Sequence, residues 1–165
     1  GYDGNTGANV NFDPTRRQGL EAEVGARLAK RLQARLSYAY TDATFRSGPY
    51  EGRRVPMVPR HKASAALDWD AGSAGRYSAV LDAVGARPYG GDFTNTHGEL
   101  AGYATLDFAA HWRAARWNLS ARLLNALDKR YAASAGYASY LPAPSLYFYP
   151  ADGRAFFVSA GHDFR

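Results

Sequence analysis

The residues that could do chemistry fall into two groups, scattered histidines and a concentration of arginine and aromatic side chains. His61, His97, His111 and His162 lack the spacing of metal ligands, and the chain contains no cysteine. No Gly-x-Ser-x-Gly segment frames a nucleophile, and no glycine-rich loop suits a phosphate group. The sequence therefore predicts no enzymatic activity, no metal site and no cofactor.

Arginine and aromatic residues concentrate in three segments that lack regular alternation. The candidate ligand-binding residues in them are Arg46, Arg53, Arg54, Tyr89, Phe93, His97, Tyr137 and Tyr140. A guanidinium group attracts anions and bonds them in a planar fork, and aromatic rings stack on flat or cationic groups. Together these residue types favour binding of a bulky anionic ligand.

The composition limits the kind of chain that could position these residues. With 46% hydrophobic and 21% charged residues among 165, the chain is not intrinsically disordered. The net charge of +5 is too small and too dispersed to indicate a nucleic-acid partner. No run approaches the roughly 20 apolar residues that a membrane helix needs. A helical membrane protein is therefore excluded, whereas a protein that crosses a membrane with strands is not.

Alternation of apolar and polar residues, the period of a β-strand, recurs along most of the chain. Leu20, Val24 and Leu28, for example, share one face of a strand, and Glu21 and Arg27 share the other. A tilted strand needs about ten residues to cross a bilayer. The pattern predicts seven strands of about this length, within residues 20–28, 32–41, 62–69, 77–87, 105–112, 117–123 and 156–164.

The connections between these strands alternate between short and long. The short ones are Lys30–Arg31, Ala71–Gly75 and Arg113–Arg116, and the long ones are Ala43–Pro59, Pro88–Ala101 and Asp128–Gly153. In an antiparallel sheet all the long connections then lie at one end. Outer-membrane barrels have this asymmetry, with short periplasmic turns and longer outer loops, whereas nothing imposes it on a soluble sandwich.

Aromatic residues are sorted between these two ends. Those next to short connections are Trp69, Tyr77, Trp112 and Trp117, and those near long connections are Tyr38, Tyr40, Tyr103 and Phe156. The two sets predict the two interfacial girdles of a membrane barrel.

The second face of the strands carries charges in mid-strand, among them Glu23, Arg35, Asp107 and Arg122. A basic side chain on the lipid side near the midplane would cost about 2 to 4 kcal/mol, so this face must contact water or a plug. An eight-stranded barrel has room only for side chains, whereas roughly 22 strands enclose a plugged, hydrated lumen. We therefore predict an all-β fold of antiparallel transmembrane β-barrel strands, about seven here, that form part of a 22-stranded barrel.

Five motifs follow one another along the chain. They are RQGLEAE at 17–23, LSYAYTDA at 36–43, GRRVPMVPRH at 52–61, LNALDKRY at 124–131 and GRAFFVSAGHDF at 153–164. In type and order they resemble the C-terminal part of the barrel of TonB-dependent outer-membrane receptors. The sequence departs from the family pattern at His162, where a bulky aromatic or apolar residue is usual, and at Arg165, which follows the usual final Phe.

The resemblance implies that residues 1–165 form the C-terminal part of such a barrel, with the plug domain and the earlier strands absent. It implies active transport of a scarce metal chelate across the outer membrane of a Gram-negative bacterium. A ferric siderophore is the first expectation, with cobalamin or heme as alternatives. The implied partners are the chelate, outer-membrane lipid and lipopolysaccharide, the barrel-assembly machinery and, through the missing N-terminal region, TonB.

Three alternatives remain open from the residues alone. Asn9–Phe12 could add an eighth strand and close a small structural or adhesive outer-membrane barrel. A soluble, sheet-rich binding module would stay in solution without detergent. The arginines of the long connections could contact lipopolysaccharide phosphate instead of a chelate.

Overall fold

Consecutive antiparallel strands dominate the structure, a computed structural model that describes residues 2–3, 8–9, 11, 13–138 and 141–164. In chain order these residues form β1 (Tyr2–Asp3), β2 (Ala8–Asn9), β3 (Thr15–Ala29), β4 (Leu32–Phe45), β5 (His61–Asp70), β6 (Arg76–Val84), β7 (Arg87–Pro88), β8 (Glu99–Leu100), β9 (Tyr103–Ala114), β10 (Trp117–Leu124), β11 (Ala132–Ala138), β12 (Ser145–Pro150) and β13 (Ala155–His162). A single 3-10 turn, Gly72–Ala74, lies between β5 and β6. No helix in this part of the chain has the length and apolar character to cross a membrane.

Seven strands form the main sheet, in the order β13-β10-β9-β6-β5-β4-β3. Every neighbouring pair is antiparallel. The predicted all-β class and the seven strands are therefore confirmed. The strand predicted over 77–87 ends earlier, at Val84, and Arg87–Pro88 pairs instead with Glu99–Leu100.

The two faces of the main sheet separate apolar from polar residues, as the alternation predicts. One cross-strand row contains Val24, Leu36, Ala65, Leu81 and Leu106. The next row, on the opposite face, contains Glu23, Ser37, Ser64, Asp82 and Thr105. We call these the apolar face and the charged face. Large side chains on the apolar face are exposed, with Val24 at 62% and Leu36 at 58%.

The hairpin between β3 and β4 turns on Lys30 and Arg31, a pair that tight hairpin turns do not favour. Neither residue has a positive φ, so the turn does not need the Asn-Gly chemistry of the commonest two-residue hairpins. The register shifts between Arg27 and Ala29, which marks a bulge one residue before the turn. Such a bulge increases the local twist and lets an ordinary dipeptide close the hairpin.

The connections are sorted by length between the two ends of the sheet. Residues 30–31, 71–75 and 115–116 connect strands at one end, the short-turn end. Residues 46–60, 85–102 and 125–154 connect them at the other end, and we call these three segments the cap. The buried hydrophobic residues all lie in the cap or at the end of β4 that meets it: Ala43, Phe45, Leu100, Ala135 and Ala138. The core of the described chain is therefore in the cap and not against the sheet.

The third long connection is more ordered than predicted, because β11 and β12 form a hairpin within it. The sequence of β11, AASAGYA, consists mainly of small residues and shows no alternation of apolar and polar types. Its small side chains allow close packing instead, and Ala135, Gly136 and Ala138 are buried. Alternation of apolar and polar residues could not reveal this strand, because neither of its faces is regularly exposed to solvent.

The tryptophans next to the short connections do share the apolar face near the short-turn end, as predicted. Tyr103 does not share the apolar face with Tyr38 and Tyr40. It pairs with Val84 on the charged face, and its ring stacks on Tyr131 with centroids 3.9 Å apart. Because side chains alternate along β9, Tyr103 lies on the same face as Thr105 and Asp107. The prediction that Tyr103 belongs to the aromatic girdle near the long connections is therefore wrong.

The eighth strand considered for Asn9–Phe12 does not join the main sheet within the described residues. Ala8–Asn9 pairs with Tyr2–Asp3 in a separate two-stranded sheet. Val10 and Phe12 lie outside the residues that the structure describes.

Candidate functional site

Backbone hydrogen bonds join the three long connections into one unit. The Met57 amide donates to the Pro88 carbonyl at 3.0 Å, which ties the first segment to the second. The Gly90 amide donates to Ala135 at 3.0 Å, and the Tyr137 amide donates to Gly90 at 2.7 Å, which ties the second to the third. Next to this contact Gly91 has a φ of 79°, and a Cβ there would lie 2.6 Å from the Tyr137 carbonyl oxygen. Glycine is therefore required where the two segments meet.

Arg54 fastens the first segment of the cap to the second. Its guanidinium pairs with Glu99, and its backbone amide donates to the Asn95 side-chain oxygen at 2.7 Å. The Asn95 side-chain amide donates back to the Arg54 carbonyl at 3.1 Å. Asn95 has a φ of 57°, a left-handed conformation that asparagine tolerates better than most residues. These contacts occupy the Arg54 guanidinium within the cap.

Asp92 is the centre of the second segment, and its side chain is fully buried. Its carboxylate accepts hydrogen bonds from the His97 amide at 2.9 Å, the Thr96 amide at 3.3 Å and the Thr94 hydroxyl at 2.9 Å. The His97 ring nitrogen Nδ1 lies 3.1 Å from the same carboxylate. Burial by itself would raise the pKa of Asp92, but these hydrogen bonds outweigh it and hold the pKa below its ordinary value.

Aromatic side chains pack the junctions between the segments. Phe45, Tyr50 and Phe93 form one cluster, with ring centroids 5.2 to 6.0 Å apart. His97 stacks on Tyr137 at 3.6 Å, joining the second segment to the third. Tyr89 contacts Phe148 edge-on at 5.9 Å across the same junction. Of the predicted site residues, His97 and Tyr137 contact each other, whereas Phe93 and Tyr89 pack at other junctions of the same cap.

Arg46 and Arg53 differ from Arg54 because both are exposed and their side chains make no ion pair within the described residues. Their backbones lie on adjacent segments, since the Phe45 amide donates to the Arg53 carbonyl at 3.0 Å. The remaining predicted residue, Tyr140, lies outside the residues that the structure describes.

A buried arginine lies at the base of the cap, where sequence reasoning assigned no role. Arg87 is 4% exposed, and one of its terminal nitrogens donates to the Ala133 carbonyl at 2.8 Å. Its guanidinium carbon lies 5.8 Å from the centroid of the Tyr103 ring. Tyr103 in turn stacks on Tyr131, whose pKa is raised by burial and by negative neighbours that include Asp107 and Asp152.

The motif LNALDKRY forms the turn that leads from the sheet into the third segment. Asn125 is buried and left-handed, with a φ of 47°. Its side chain accepts a hydrogen bond from the Lys129 amide at 2.9 Å and donates to the Lys129 carbonyl at 2.9 Å. Asp128 accepts a hydrogen bond from the Arg154 amide at 3.1 Å and so ties the turn to the start of β13. The motif therefore has a structural role that its residue types explain.

Sequence reasoning missed the central position of Asp92 and the linking position of Asn95. A signal for both was present, because Asp, Asn and Thr side chains commonly bond nearby backbone amides in turns, and residues 92–96 contain four of them. For metal binding, no three histidine or acidic residues come close enough to hold an ion in the part of the chain that the structure describes.

Comparison with known proteins identifies the family of this chain. The sequence model of the family described as "TonB dependent receptor-like, beta-barrel" matches residues 1–126. The ferrioxamine B receptor of Salmonella typhimurium is 33% identical over 133 residues, which cover 74% of this chain and 19% of the receptor.

Two solved structures share the fold. The ferric yersiniabactin uptake receptor FyuA from Yersinia pestis superposes with a TM-score of 0.75 at 25% identity, over 92% of this chain and 24% of that one. The siderophore receptor PiuA from Acinetobacter baumannii gives 0.70 at 23% identity, over 88% and 21%. The chain spans about a fifth of the length of the ferrioxamine B receptor, of which the match covers 19%. The match over residues 1–126 shows that this chain belongs to the TonB-dependent receptor-like β-barrel family.

Proposed function

We propose that the 165 residues form the C-terminal part of the barrel of an outer-membrane receptor in a Gram-negative bacterium, and that this receptor imports a ferric siderophore. The observation that carries the proposal is the cap itself. Three connections at one end of a strictly antiparallel sheet form a folded unit that holds arginine and aromatic residues together. The receptors similar to this chain include one named for ferrioxamine B and one named for ferric yersiniabactin.

The exposure of the apolar face supports the placement of the sheet in a membrane. Leu20, Val24, Leu28 and Leu36 are each more than half exposed, and Leu67 nearly so. Such a continuous apolar surface is unfavourable in water and is suited to contact with lipid chains. The charged face then borders a hydrated lumen, and the short-turn end faces the periplasm.

Within the cap, we assign contact with the chelate to the exposed Arg46 and Arg53. Their guanidinium groups are free to attract and bond an anionic chelate. Tyr89, Phe93, His97 and Tyr137 supply aromatic surface in the same cap, and Tyr140 follows Tyr137 in the sequence. Arg54 acts differently, because it holds Glu99 and Asn95 and so keeps the first two segments in place.

Transport then follows the route implied for the family. The chelate binds the outer loops and the plug, and force transmitted by TonB displaces the plug. The other partners are outer-membrane lipid, lipopolysaccharide and the barrel-assembly machinery.

Uptake of radiolabelled ferric citrate, an anionic chelate, and of radiolabelled ferric ferrioxamine B tests the proposal. We expect deletion of the gene to reduce uptake from iron-poor medium, and we expect deletion of TonB to reduce it equally. Cobalamin and heme, added as unlabelled competitors, test the two alternative substrates. If deletion of the gene left the uptake of ferrioxamine B and of other ferric siderophores unchanged, the proposed import of a ferric siderophore would be contradicted.

A further inference from the structure

The charged face carries a basic pocket at the short-turn end. The pocket has a volume of about 770 Å³ and is lined by five lysine or arginine residues and two aspartates. These residues are Arg27, Lys30, Arg31, Arg35, Arg76, Asp68 and Asp70. Small-molecule sites have volumes of about 300 to 1,000 Å³, so the basic pocket has the size of a site for a small ligand.

Both carboxylates of the basic pocket are already engaged. Asp68 lies 3.2 Å from Arg35, and Asp70 lies 3.9 Å from Arg76. Asp70 also accepts a hydrogen bond from the Gly72 amide at 2.9 Å. The two aspartates are therefore paired with the arginines beside them and leave the other cations of the pocket without a counter-charge.

Three cations of the basic pocket have no carboxylate partner within the described residues. They are Arg27, Lys30 and Arg31, and all three are exposed. The Arg31 guanidinium lies against the next turn, because a Cβ at Gly72 would be 2.7 Å from one of its terminal nitrogens. Unpaired cations gathered in one pocket attract an anion, and arginine bonds carboxylate or phosphate oxygens in a planar fork.

The charge of the same face reverses nearer the cap. A second pocket there, the acidic zone, is lined by Glu21, Glu23, Asp82 and Lys62, and its carboxylates form no ion pair within the described residues. Arg27 follows Glu23 by four residues along β3, which places it about 13 Å nearer the short-turn end. The Debye length is about 8 Å at physiological ionic strength, so the acidic zone and the basic pocket act on an anion separately. An anion that moves from the cap along this face is repelled first and attracted afterwards.

We infer that the basic pocket is a second anion site, which receives an anionic ferric chelate on its way from the cap to the periplasm. Arg27, Lys30 and Arg31 bind the carboxylate or phosphate oxygens of the chelate, and their attraction offsets the repulsion by the acidic zone. A small anion suits this face better than an acidic protein segment, because a segment long enough to lie along the strands would also meet Glu21 and Glu23. The inference rests on the proposed import function and adds to it a site that is separate from the cap.

Two pairs of arginines at the short-turn end provide a matched test. The pocket variant, R27Q/R31Q, removes two unpaired cations from the basic pocket. The control variant, R113Q/R116Q, removes the same charge from exposed positions that do not line it. Heat-modifiable gel mobility checks that each variant is folded.

Calorimetric titration of the purified full-length receptor with ferric citrate measures binding to the basic pocket. The titration uses a receptor that also carries R46Q/R53Q, so that the exposed arginines of the cap do not contribute. We expect the pocket variant to bind ferric citrate several-fold more weakly at low ionic strength, with a smaller difference at high ionic strength, because salt screens the attraction. The control variant should leave binding unchanged. Absence of binding in the R46Q/R53Q receptor, or equal weakening by the control variant, would overturn the inference.

Uptake separates an anion site from a contact with an acidic protein segment. We expect the pocket variant to slow uptake of ferric citrate several-fold and to leave uptake of ferric ferrioxamine B, which has no net negative charge, unchanged. Equal slowing of both chelates would assign the basic pocket to a protein contact and overturn the inference. Binding of ferric citrate at the pocket of a receptor that imports no ferric chelate would support the anion site and contradict the proposed function.

Discussion

The main sheet and the cap are stabilised in opposite ways. On the sheet, Val24 and Leu36 are 62% and 58% exposed, and neither face is covered by another layer of the described chain. In the cap, Phe45 and Leu100 are 4% and 5% exposed, and Asp92 and Asn125 are buried with hydrogen-bonded side chains. The cap thus has an internal core, whereas the apolar face of the sheet depends on a surrounding medium.

Ion pairs show the same contrast. Arg35 and Asp68 on the charged face lie 3.2 Å apart, but their side chains are 62% and 45% exposed. Exposed pairs of this kind contribute ~0 to 1 kcal/mol. Arg54, which pairs with Glu99 in the cap, has a side chain that is only 19% exposed, and its guanidinium also donates to the Val58 carbonyl. Electrostatic contacts therefore position the cap more than they position the sheet.

The largest effect that tests this comparison is expected on the apolar face. Leu36→Arg should destabilise the membrane-inserted sheet by about 2 to 4 kcal/mol, because it places a charge against lipid near the midplane. Ser37→Arg, one residue away on the charged face, should be tolerated. Urea unfolding followed by heat-modifiable gel mobility measures both. Equal tolerance of the two substitutions would show that the sheet does not depend on lipid.

A change in the cap should act by a different route and depend on pH. Asp92→Asn removes the charge that accepts bonds from His97, Thr94 and Thr96, and we expect a local loss of about 2 kcal/mol. Because the pKa of Asp92 is lowered in the folded cap, its stabilisation is complete above the ordinary pKa of the residue. It is lost as the pH falls through the lower pKa of the folded state.

Hydrogen exchange over residues 85–102 measures this local stability. Exchange in the unmodified protein should rise in strong acid, and Asp92→Asn should exchange faster at neutral pH and respond less to acid. An acid response that the variant retains in full would assign the pH dependence to another group.

Two glycines of β3 offer a matched test of close packing within the sheet. A Cβ at Gly19 would collide with the Tyr40 carbonyl, whereas at Gly25 the nearest atom, Arg35 Cγ, is 4.0 Å away. Gly19→Ala should therefore cost about 1 to 2 kcal/mol, and Gly25→Ala should be neutral or slightly stabilising. The same urea unfolding experiment compares them. If Gly19→Ala is as stable as Gly25→Ala, the pairing of β3 with β4 is looser than the register indicates.

The smallest expected effect separates the neighbouring arginines of the cap. Arg53→Gln should weaken binding of an anionic ferric chelate such as ferric citrate a few-fold and flatten its salt dependence, because it removes one exposed attraction for an anion. Arg54→Gln should instead increase hydrogen exchange over the first two segments, where the Glu99 pair is lost. Binding at two ionic strengths, with exchange as the second readout, measures the difference. If Arg54→Gln weakened chelate binding and Arg53→Gln increased hydrogen exchange, Arg54 would be the binding residue and Arg53 the one that positions the cap.

The sequence by itself determined the main sheet. Alternation places Val24 and Leu36 on one face and Glu23 and Ser37 on the other, because successive side chains of a strand point to opposite sides whatever surrounds them. The lengths of the connections determined which end carries the cap, since consecutive antiparallel strands bring alternate connections to the same end. The facing of each side chain can be read from a window of ten or so residues, and the end at which each connection lies follows from the order of the strands along the chain.

Only the tertiary structure decided how the cap is organised. Arg54 meets Glu99 and Asn95 across more than 40 positions, and Gly90 meets Gly136 across a similar distance. No local pattern distinguishes Arg54, held within the cap, from Arg53, which is exposed. The difference arises because burial and pairing depend on which distant segments pack together, and three irregular connections of small, polar and aromatic residues carry no periodic signal of that packing.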